Sequence, residues 1–229
     1  MDIESLLMTK RIFVPTDGPE DWKRFLADPD RHWKHEYSAF ALAQRWEEGA
    51  EFDTGLAHEV SAVLQQRFET PVLLFAVPEH RVPFPGGSAA SQNDVWALVR
   101  SRRDIISLAV EGKGEEAFDV TVGEWRAHEA RGTAATLDYL VGLLGLEGKD
   151  LDPIRYQFLH CAASALLEAE RCGAGHAVML IHSFSRKHAG FGDYAAFAKL
   201  FGLEAKVGTL VSANGQGPVR LHLGWADGS

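Results

Sequence analysis

Residues 94–113, DVWALVRSRRDIISLAVEGK, have the clearest secondary-structure pattern in the chain. It contains two apolar runs rich in β-formers, residues 95–100 and 105–110, and the polar residues between them predict a hairpin turn. Both runs are apolar at nearly every position, which is typical of strands that are buried on both faces of a sheet. The stretch therefore predicts a buried hairpin within a larger sheet.

The turn of this hairpin fixes which residues face each other across the two strands. If Arg102 and Arg103 form the turn, counting back along the strands places Asp94 opposite Glu111. Opposed residues of antiparallel strands have Cβ atoms roughly 4.5–5.5 Å apart. Two carboxylates at that distance repel each other unless a cation lies between them, and Mg²⁺ prefers oxygen ligands. Lys113 follows Glu111 by two positions, so it projects to the same face.

An acid pair and a lysine on one sheet face can support hydrolysis of a phosphodiester bond. The metal activates a water molecule and neutralises charge on the phosphate. The lysine stabilises the negative charge that develops during the reaction. The alternative is an ordinary solvated face, on which these residues form a weak cross-strand ion pair.

Two motifs in the hairpin, SQND at 91–94 and VEGK at 110–113, resemble those of the restriction-endonuclease-like PD-(D/E)xK nucleases. In that family the aspartate opens the second core strand and the E-x-K motif closes the third. A helix and a further strand follow the motif in the family, and this sequence predicts both. The departure from the family pattern is Asn93, which stands where the family has a proline.

The resemblance implies a set of site residues. Asp94, Glu111 and the backbone carbonyl of Gly112 would hold Mg²⁺ or Mn²⁺, and Lys113 would be the catalytic cation. A helix that precedes the sheet often adds an acid in this family, and Glu59 is the candidate here. An ordinary solvated helix acid is an equal alternative for Glu59.

The resemblance also implies how the chain is organised. We expect one α/β domain over residues 1–229, with a restriction-endonuclease-like mixed β-sheet core flanked by helices. The core would span residues 54–183, with a helical insertion near 121–146. A helical segment at 1–53 would precede it, and a helix and strands at 184–229 would follow.

Several local patterns predict where elements begin and end. Residues 72–77 form a compact apolar run that predicts a buried strand, and Pro78 predicts the start of a loop. Asp152-Pro153 predicts the start of the longest helix, which Gly173 would end. Thr121 and Glu124 have the spacing of a capping box.

Composition limits the classes of partner and compartment. The chain has 229 residues, 46% of them apolar, and a net charge of −9, whereas proteins that coat DNA are usually basic. Any contact with nucleic acid must therefore be local. Cys161 and Cys172 fall on one predicted helix, roughly 16 Å apart, which is too far for a disulfide. Free thiols and no recognisable export signal predict a cytoplasmic protein.

The sequence thus predicts a Mg²⁺-dependent phosphodiester hydrolase whose partner is nucleic acid, with DNA as the expected substrate. No run of apolar residues is long enough for a membrane span. Several nucleases of this fold act as dimers, so the resemblance also raises a homodimer. Two alternatives stay open: a catalytically silent interaction module of the same fold, and a metal-dependent hydrolase of a small phosphorylated substrate. The acidic balance favours the silent module, and the intact E-x-K motif opposes it.

Overall fold

The computed structural model of the chain describes residues 12, 14, 16–26, 28–34, 37–85, 90–102, 104–127, 133–213 and 217–229. A 3-10 helix spans Pro19–Phe25. The α-helices are α1 (Pro29–His32), α2 (Ser38–Ala50), α3 (His58–Gln65), α4 (Val122–Ala127), α5 (Thr133–Leu144), α6 (Tyr156–Cys172) and α7 (Phe191–Leu200). The strands are β1 (Val72–Val82), β2 (Ser91–Ser101), β3 (Asp104–Lys113), β4 (His176–Ser183), β5 (Leu210–Ser212) and β6 (Arg220–Asp227).

The described strands form one six-stranded mixed sheet in the order β1-β2-β3-β4-β6-β5. The first three strands are an antiparallel meander. Helix α6 then returns the chain so that β4 runs parallel to β3, and β6 runs parallel to β4. The short strand β5 is antiparallel to β6 at the far edge.

Helices cover both faces of the sheet. One core cluster lies between the sheet and α5, α6 and α7, and it includes Phe158, Tyr194 and Trp225. The second cluster lies under α2 and α3 and includes Trp46 and Val110. Because both faces are covered, β3 and β4 are almost wholly buried, as their apolar sequences predict. The chain is therefore an α/β protein with a mixed sheet flanked by helices.

The predicted hairpin is confirmed. Strands β2 and β3 pair in one continuous register from Val95↔Val110 to Ser101↔Asp104. The turn therefore consists of residues 102 and 103, of which Arg103 lies outside the described residues. The predicted capping box is confirmed as well: the Thr121 N–H donates to Glu124 Oε2 at 2.7 Å, and the Glu124 N–H donates to Thr121 Oγ1 at 3.2 Å.

Two predicted boundaries are wrong. Strand β1 continues through Pro78 to Val82. A proline is tolerated in this strand because β1 lies at the edge of the sheet, where a missing N–H need not break a ladder. The long helix begins at Tyr156 and not at Asp152-Pro153. Backbone hydrogen bonds and a β-bridge between Thr121 and Arg155 tie this segment to the start of α4 and keep it out of the helix.

The predicted end of the long helix is confirmed. Gly173 ends α6 with a left-handed φ of 64°. Cys161 is buried, Cys172 is exposed, and both are free thiols. Within the described parts of the chain, none of the helices combines the length and apolarity that a membrane span requires.

Candidate active site

The β2–β3 register brings two acids together at the end of the hairpin. Continuing the pairing one position beyond Val95↔Val110 sets Asp94 opposite Glu111. The two carboxyl groups lie within hydrogen-bonding reach of each other. Asp94 Oδ2 also accepts a hydrogen bond from the Gly112 N–H at 2.8 Å, which ties the aspartate to the E-x-K motif.

Only one oxygen of the Glu111 carboxylate has a hydrogen-bond donor among the described residues. Its side chain is 5% exposed, and Oε1 accepts a hydrogen bond from Gln157 Nε2 on α6. Among the described residues no donor reaches Oε2, which is buried. A buried carboxylate oxygen without a donor is costly. A proton shared with Asp94, or a bound cation, would remove that cost.

Burial sets the proton affinity of this pair. It raises the pKa of Glu111 well above its usual range, and the neighbouring Asp94 carboxylate raises it further. Burial also raises the pKa of Asp94, although the hydrogen bond from Gly112 opposes that shift. The two acids therefore hold at least one proton between them more tightly than separate acids in water would.

Lys113 lies at the same end of β3 and is 2% exposed. Its Nζ is 4.3 Å from the centroid of the Phe118 ring. Burial lowers the pKa of Lys113, while the carboxylates of Glu116, Glu111 and Asp94 act in the opposite direction. Lys113 of the E-x-K motif therefore lies near the acid pair and is largely desolvated. Its positive charge interacts with the two acids more strongly there than it would in water.

Glu59, the helix acid considered for the site, is held by two other side chains. Glu59 Oε1 accepts a hydrogen bond from His182 Nε2 at 2.9 Å and forms an ion pair with Arg45, whose Nε lies 3.1 Å away. His182 pairs with Gly112, whose side-chain direction points toward Leu42 of α2. Glu59 therefore contacts His182 and Arg45, whereas Gln157 of α6 contacts Glu111.

A residue that the sequence reasoning missed lies on the other side of Asp94. The β1–β2 register runs through Pro78↔Val95 and His80↔Asn93, so the intervening position sets Glu79 opposite Asp94. Gln92 Nε2 donates a hydrogen bond to Glu79 Oε2. Burial, followed by repulsion from Asp94, raises the pKa of Glu79 to about 8. Glu79 directly follows Pro78, and ending the predicted strand at Pro78 left Glu79 in a loop.

The arrangement can be tested for its fit to a divalent cation. No group of three or more His, Cys, Asp or Glu side chains is gathered as a ready metal site within the described residues. The site that the resemblance implies needs two carboxylates and one backbone carbonyl, so this finding does not oppose it. The donor-free Oε2 of Glu111, next to Asp94, is the atom that fits a cation best.

Charges of both signs surround the pair. Glu116 acts on Lys113, and Arg155 Nε lies 3.0 Å from Asp193 Oδ2. The basic hairpin tip is remote: Arg102 pairs with Glu69 and lies roughly 25 Å along the strand from Asp94. Arg102 therefore cannot contact a phosphate that is bound at Asp94.

We expect the acids to make the cation-free protein less stable as the pH rises. The pKa of Glu79 is raised from 4.5 to about 8, so its contribution to stability is full below pH 4.5 and is lost as the pH rises toward 8. Glu79→Gln should flatten the slope of the free energy of unfolding against pH in this window. Urea denaturation in EDTA at several pH values measures the slope.

The control for the pH series is Glu147→Gln, which makes the same change at an exposed acid. It should keep the slope of the wild type. A Glu79→Gln slope equal to that of the wild type would mean that Glu79 titrates normally in the folded protein.

Comparison with known proteins identifies the family of the chain. No curated protein and no solved structure matches the chain. A family model described as "Domain of unknown function (DUF6946)" matches residues 15–229, which is most of the sequence. The chain therefore belongs to the DUF6946 family.

Proposed function

We propose that the chain is a divalent-cation-dependent nuclease of the PD-(D/E)xK kind that hydrolyses phosphodiester bonds in DNA. The observation that carries the proposal is the convergence of Asp94 and Glu111 at one end of the hairpin, with Lys113 beside them. A bound cation or a shared proton stabilises such a pair of neighbouring acids, and phosphodiester hydrolysis needs a cation and a lysine at one point.

The order of elements supports the proposal. Asp94 lies near the start of β2, and residues 111–113 close β3. Helix α6 and the parallel strand β4 follow, as the helix and further strand do in the family that the motifs resemble. A restriction-endonuclease-like core is therefore the specific form of the α/β sheet that we propose.

Asp94, Glu111 and the carbonyl of Gly112 are the groups that would hold Mg²⁺ or Mn²⁺. The fit rests on Glu111 Oε2, which is buried and has no donor among the described residues. When bound, the cation supplies an activated water molecule and neutralises charge on the phosphate. Gln157 fixes the orientation of the Glu111 carboxylate through Oε1.

Lys113 stabilises charge in this scheme. Its desolvated ammonium lies within electrostatic reach of both acids and can stabilise the negative charge that develops on the phosphate. Because it is not a ligand, its loss should affect the rate more than it affects cation binding. This difference separates a catalytic lysine from one that merely balances the charge of the acids.

The acidic surface restricts how the substrate would bind. With a net charge of −9, the chain cannot gain affinity from a broad basic surface. A phosphate would be attracted mainly through the bound cation and Lys113, so we expect a short contact. The two free thiols agree with the cytoplasmic location that forms part of the proposal.

Cation binding at the proposed ligands is the direct test of the site. We expect calorimetric titration with Mn²⁺ to show binding to the wild-type chain, and we expect the double variant Asp94→Ala, Glu111→Ala to lose it. The matched control is Asp138→Ala, Glu147→Ala, which removes two exposed acids. Equal binding by the wild type and the site variant would show that the cation, if any, binds elsewhere.

A further inference from the structure

Two of the proposed catalytic side chains are closed off from the solvent. Lys113 is 2% exposed and Glu111 is 5% exposed, so a phosphodiester in solution cannot contact either of them. Residues 114–120 connect β3 to α4 without forming a helix or a strand, and Phe118 of this connection lies against Lys113. A substrate can reach the two side chains only if part of their covering moves.

Phe118 is the main apolar anchor of the connection. It is 5% exposed, whereas the other residues from 115 to 120 are exposed or half-buried. The centroid of its ring lies 4.3 Å from Lys113 Nζ and 4.6 Å from the centroid of the Phe158 ring on α6. The position of the connection over Lys113 therefore depends largely on one aromatic side chain.

Gly190, which precedes α7, leaves the space that the Phe118 ring occupies. A Cβ at position 190 would lie 2.4 Å from Cε2 of Phe118, which is closer than packed carbon atoms approach. Because the ring belongs to an irregular segment, it can leave this space without breaking a helix or a strand. The anchor is therefore reversible.

The side-chain amide of Gln157 links the connection to the acid pair. Its Oε1 accepts a hydrogen bond from the Asp119 N–H at 3.3 Å, and its Nε2 donates to Glu111 Oε1. Movement of Asp119 away from α6 would remove one of the two contacts that fix this amide. The orientation of Glu111 is thus coupled to the position of the connection.

We propose that residues 114–120 form a lid that opens to admit the substrate and closes over Lys113 and Glu111, with Phe118 as the side chain that holds it closed. The inference rests on the proposed function, because it assigns a gate to the same site. Closing such a lid shields the reacting groups from water and completes the arrangement of the site. In the closed lid, Gln157 orients Glu111 and the ammonium of Lys113 is desolvated.

The polar contacts of the lid do not prevent opening. Ser185 Oγ donates a hydrogen bond to Glu115 Oε1 at 2.8 Å, and Arg155 Nη1 donates to the Asp119 carbonyl at 3.1 Å. Water can replace much of the energy of such bonds when the lid moves. Segments with few buried apolar contacts are the ones that open locally in a folded protein. Loss of the Phe118 ring should therefore change the opening more than loss of any one hydrogen bond.

Acetylation of Lys113 by an N-hydroxysuccinimide ester, measured by mass spectrometry of peptides, reports the opening of the lid. The rate is taken relative to that of exposed Lys199 in the same sample. In the wild type it should stay nearly constant in low urea, because a local opening exposes little surface. Phe118→Ala should raise it at least about 10-fold, the change in equilibrium that corresponds to the burial of a phenylalanine side chain.

The control is Val120→Ala, which shortens a lid side chain that is 40% exposed and should leave the rate unchanged. The inference is overturned if Lys113 reacts with the urea dependence of global unfolding, or if folded Phe118→Ala reacts no faster than the wild type. Thermal unfolding checks that Phe118→Ala is folded; if it is not, the urea series on the wild type decides alone.

The labelling needs no nuclease activity, so the inference and the proposed function can fail separately. Labelling that contradicts the lid, together with cation-dependent cleavage of DNA, would remove the lid and keep the nuclease. Labelling as expected, without cleavage of any nucleic acid, would support a lid over a site of another function and remove the nuclease.

Discussion

Lys113→Ala should lower turnover on DNA about 100-fold or more, the usual effect of removing one electrostatic stabiliser from an active site. Lys113 is 2% exposed and lies beside the acid pair, so a cation from the solvent cannot easily replace its ammonium group. Cation affinity should change far less, because the ammonium is not a ligand. Steady-state kinetics with Mg²⁺, together with Mn²⁺ calorimetry on the same preparations, gives both numbers.

The control for this substitution is Lys199→Ala, in which the lysine lies on the exposed side of α7. It should leave turnover unchanged. Cleavage that survives Lys113→Ala at the wild-type rate would assign the activity to another site or to a contaminant. A parallel loss of folding, seen by thermal unfolding, would instead show that Lys113 is needed for the structure.

Asp94→Asn should reduce cleavage to background and remove cation binding, while the fold is retained. Asparagine keeps an acceptor for the Gly112 N–H, which lies 2.8 Å from Asp94 Oδ2 in the wild type. It also removes the repulsion between Asp94 and its two acidic neighbours. We therefore expect the cation-free variant to be as stable as the wild type or more stable, as measured by urea denaturation in EDTA.

Stability distinguishes the two roles open to Asp94. A loss of several kcal/mol on Asp94→Asn would mark the residue as structural, since breaking a buried charge pair costs about 3–5 kcal/mol. Asp138→Asn, an exposed change of the same type, is the control for any general effect of losing one negative charge.

The hairpin could be predicted from sequence because two local signals agreed. The apolar runs fixed the strands, and the polar residues between them left only a short turn, so the register followed by counting. The same reasoning placed Asp94 opposite Glu111 and Lys113 on the same strand end. The capping box at Thr121 and Glu124 was equally readable, because both partners lie within one helical turn.

The errors have a common physical origin in contacts that are distant along the chain. Pro78 marks a loop by local rules, but it is compatible with β1 because that strand is at the sheet edge. Asp152-Pro153 has the form of a helix start, yet the pairing of Arg155 with Thr121 holds this segment against α4. Neither the edge position nor the pairing is encoded in the local pattern.

The site shows the same limit. Glu59 was the candidate for an additional acid because it lies on a helix before the sheet. Its carboxylate instead binds His182 by a hydrogen bond and Arg45 by an ion pair. Glu79 lies opposite Asp94 instead, and only the β1–β2 register reveals it. Sequence reasoning could locate acids within one hairpin, whereas the third acid required knowledge of which strand lies beside that hairpin.

Cleavage by the wild-type chain is the direct test of nuclease activity. Single- and double-stranded DNA and RNA are incubated with Mg²⁺ or Mn²⁺ and, in parallel, with EDTA and with the Asp94→Asn variant. We expect DNA cleavage that requires the cation and is absent from the variant. Confirmed cation binding without cleavage of any polymer would contradict it and favour hydrolysis of a small phosphorylated substrate, and the absence of both binding and cleavage would favour a silent interaction module.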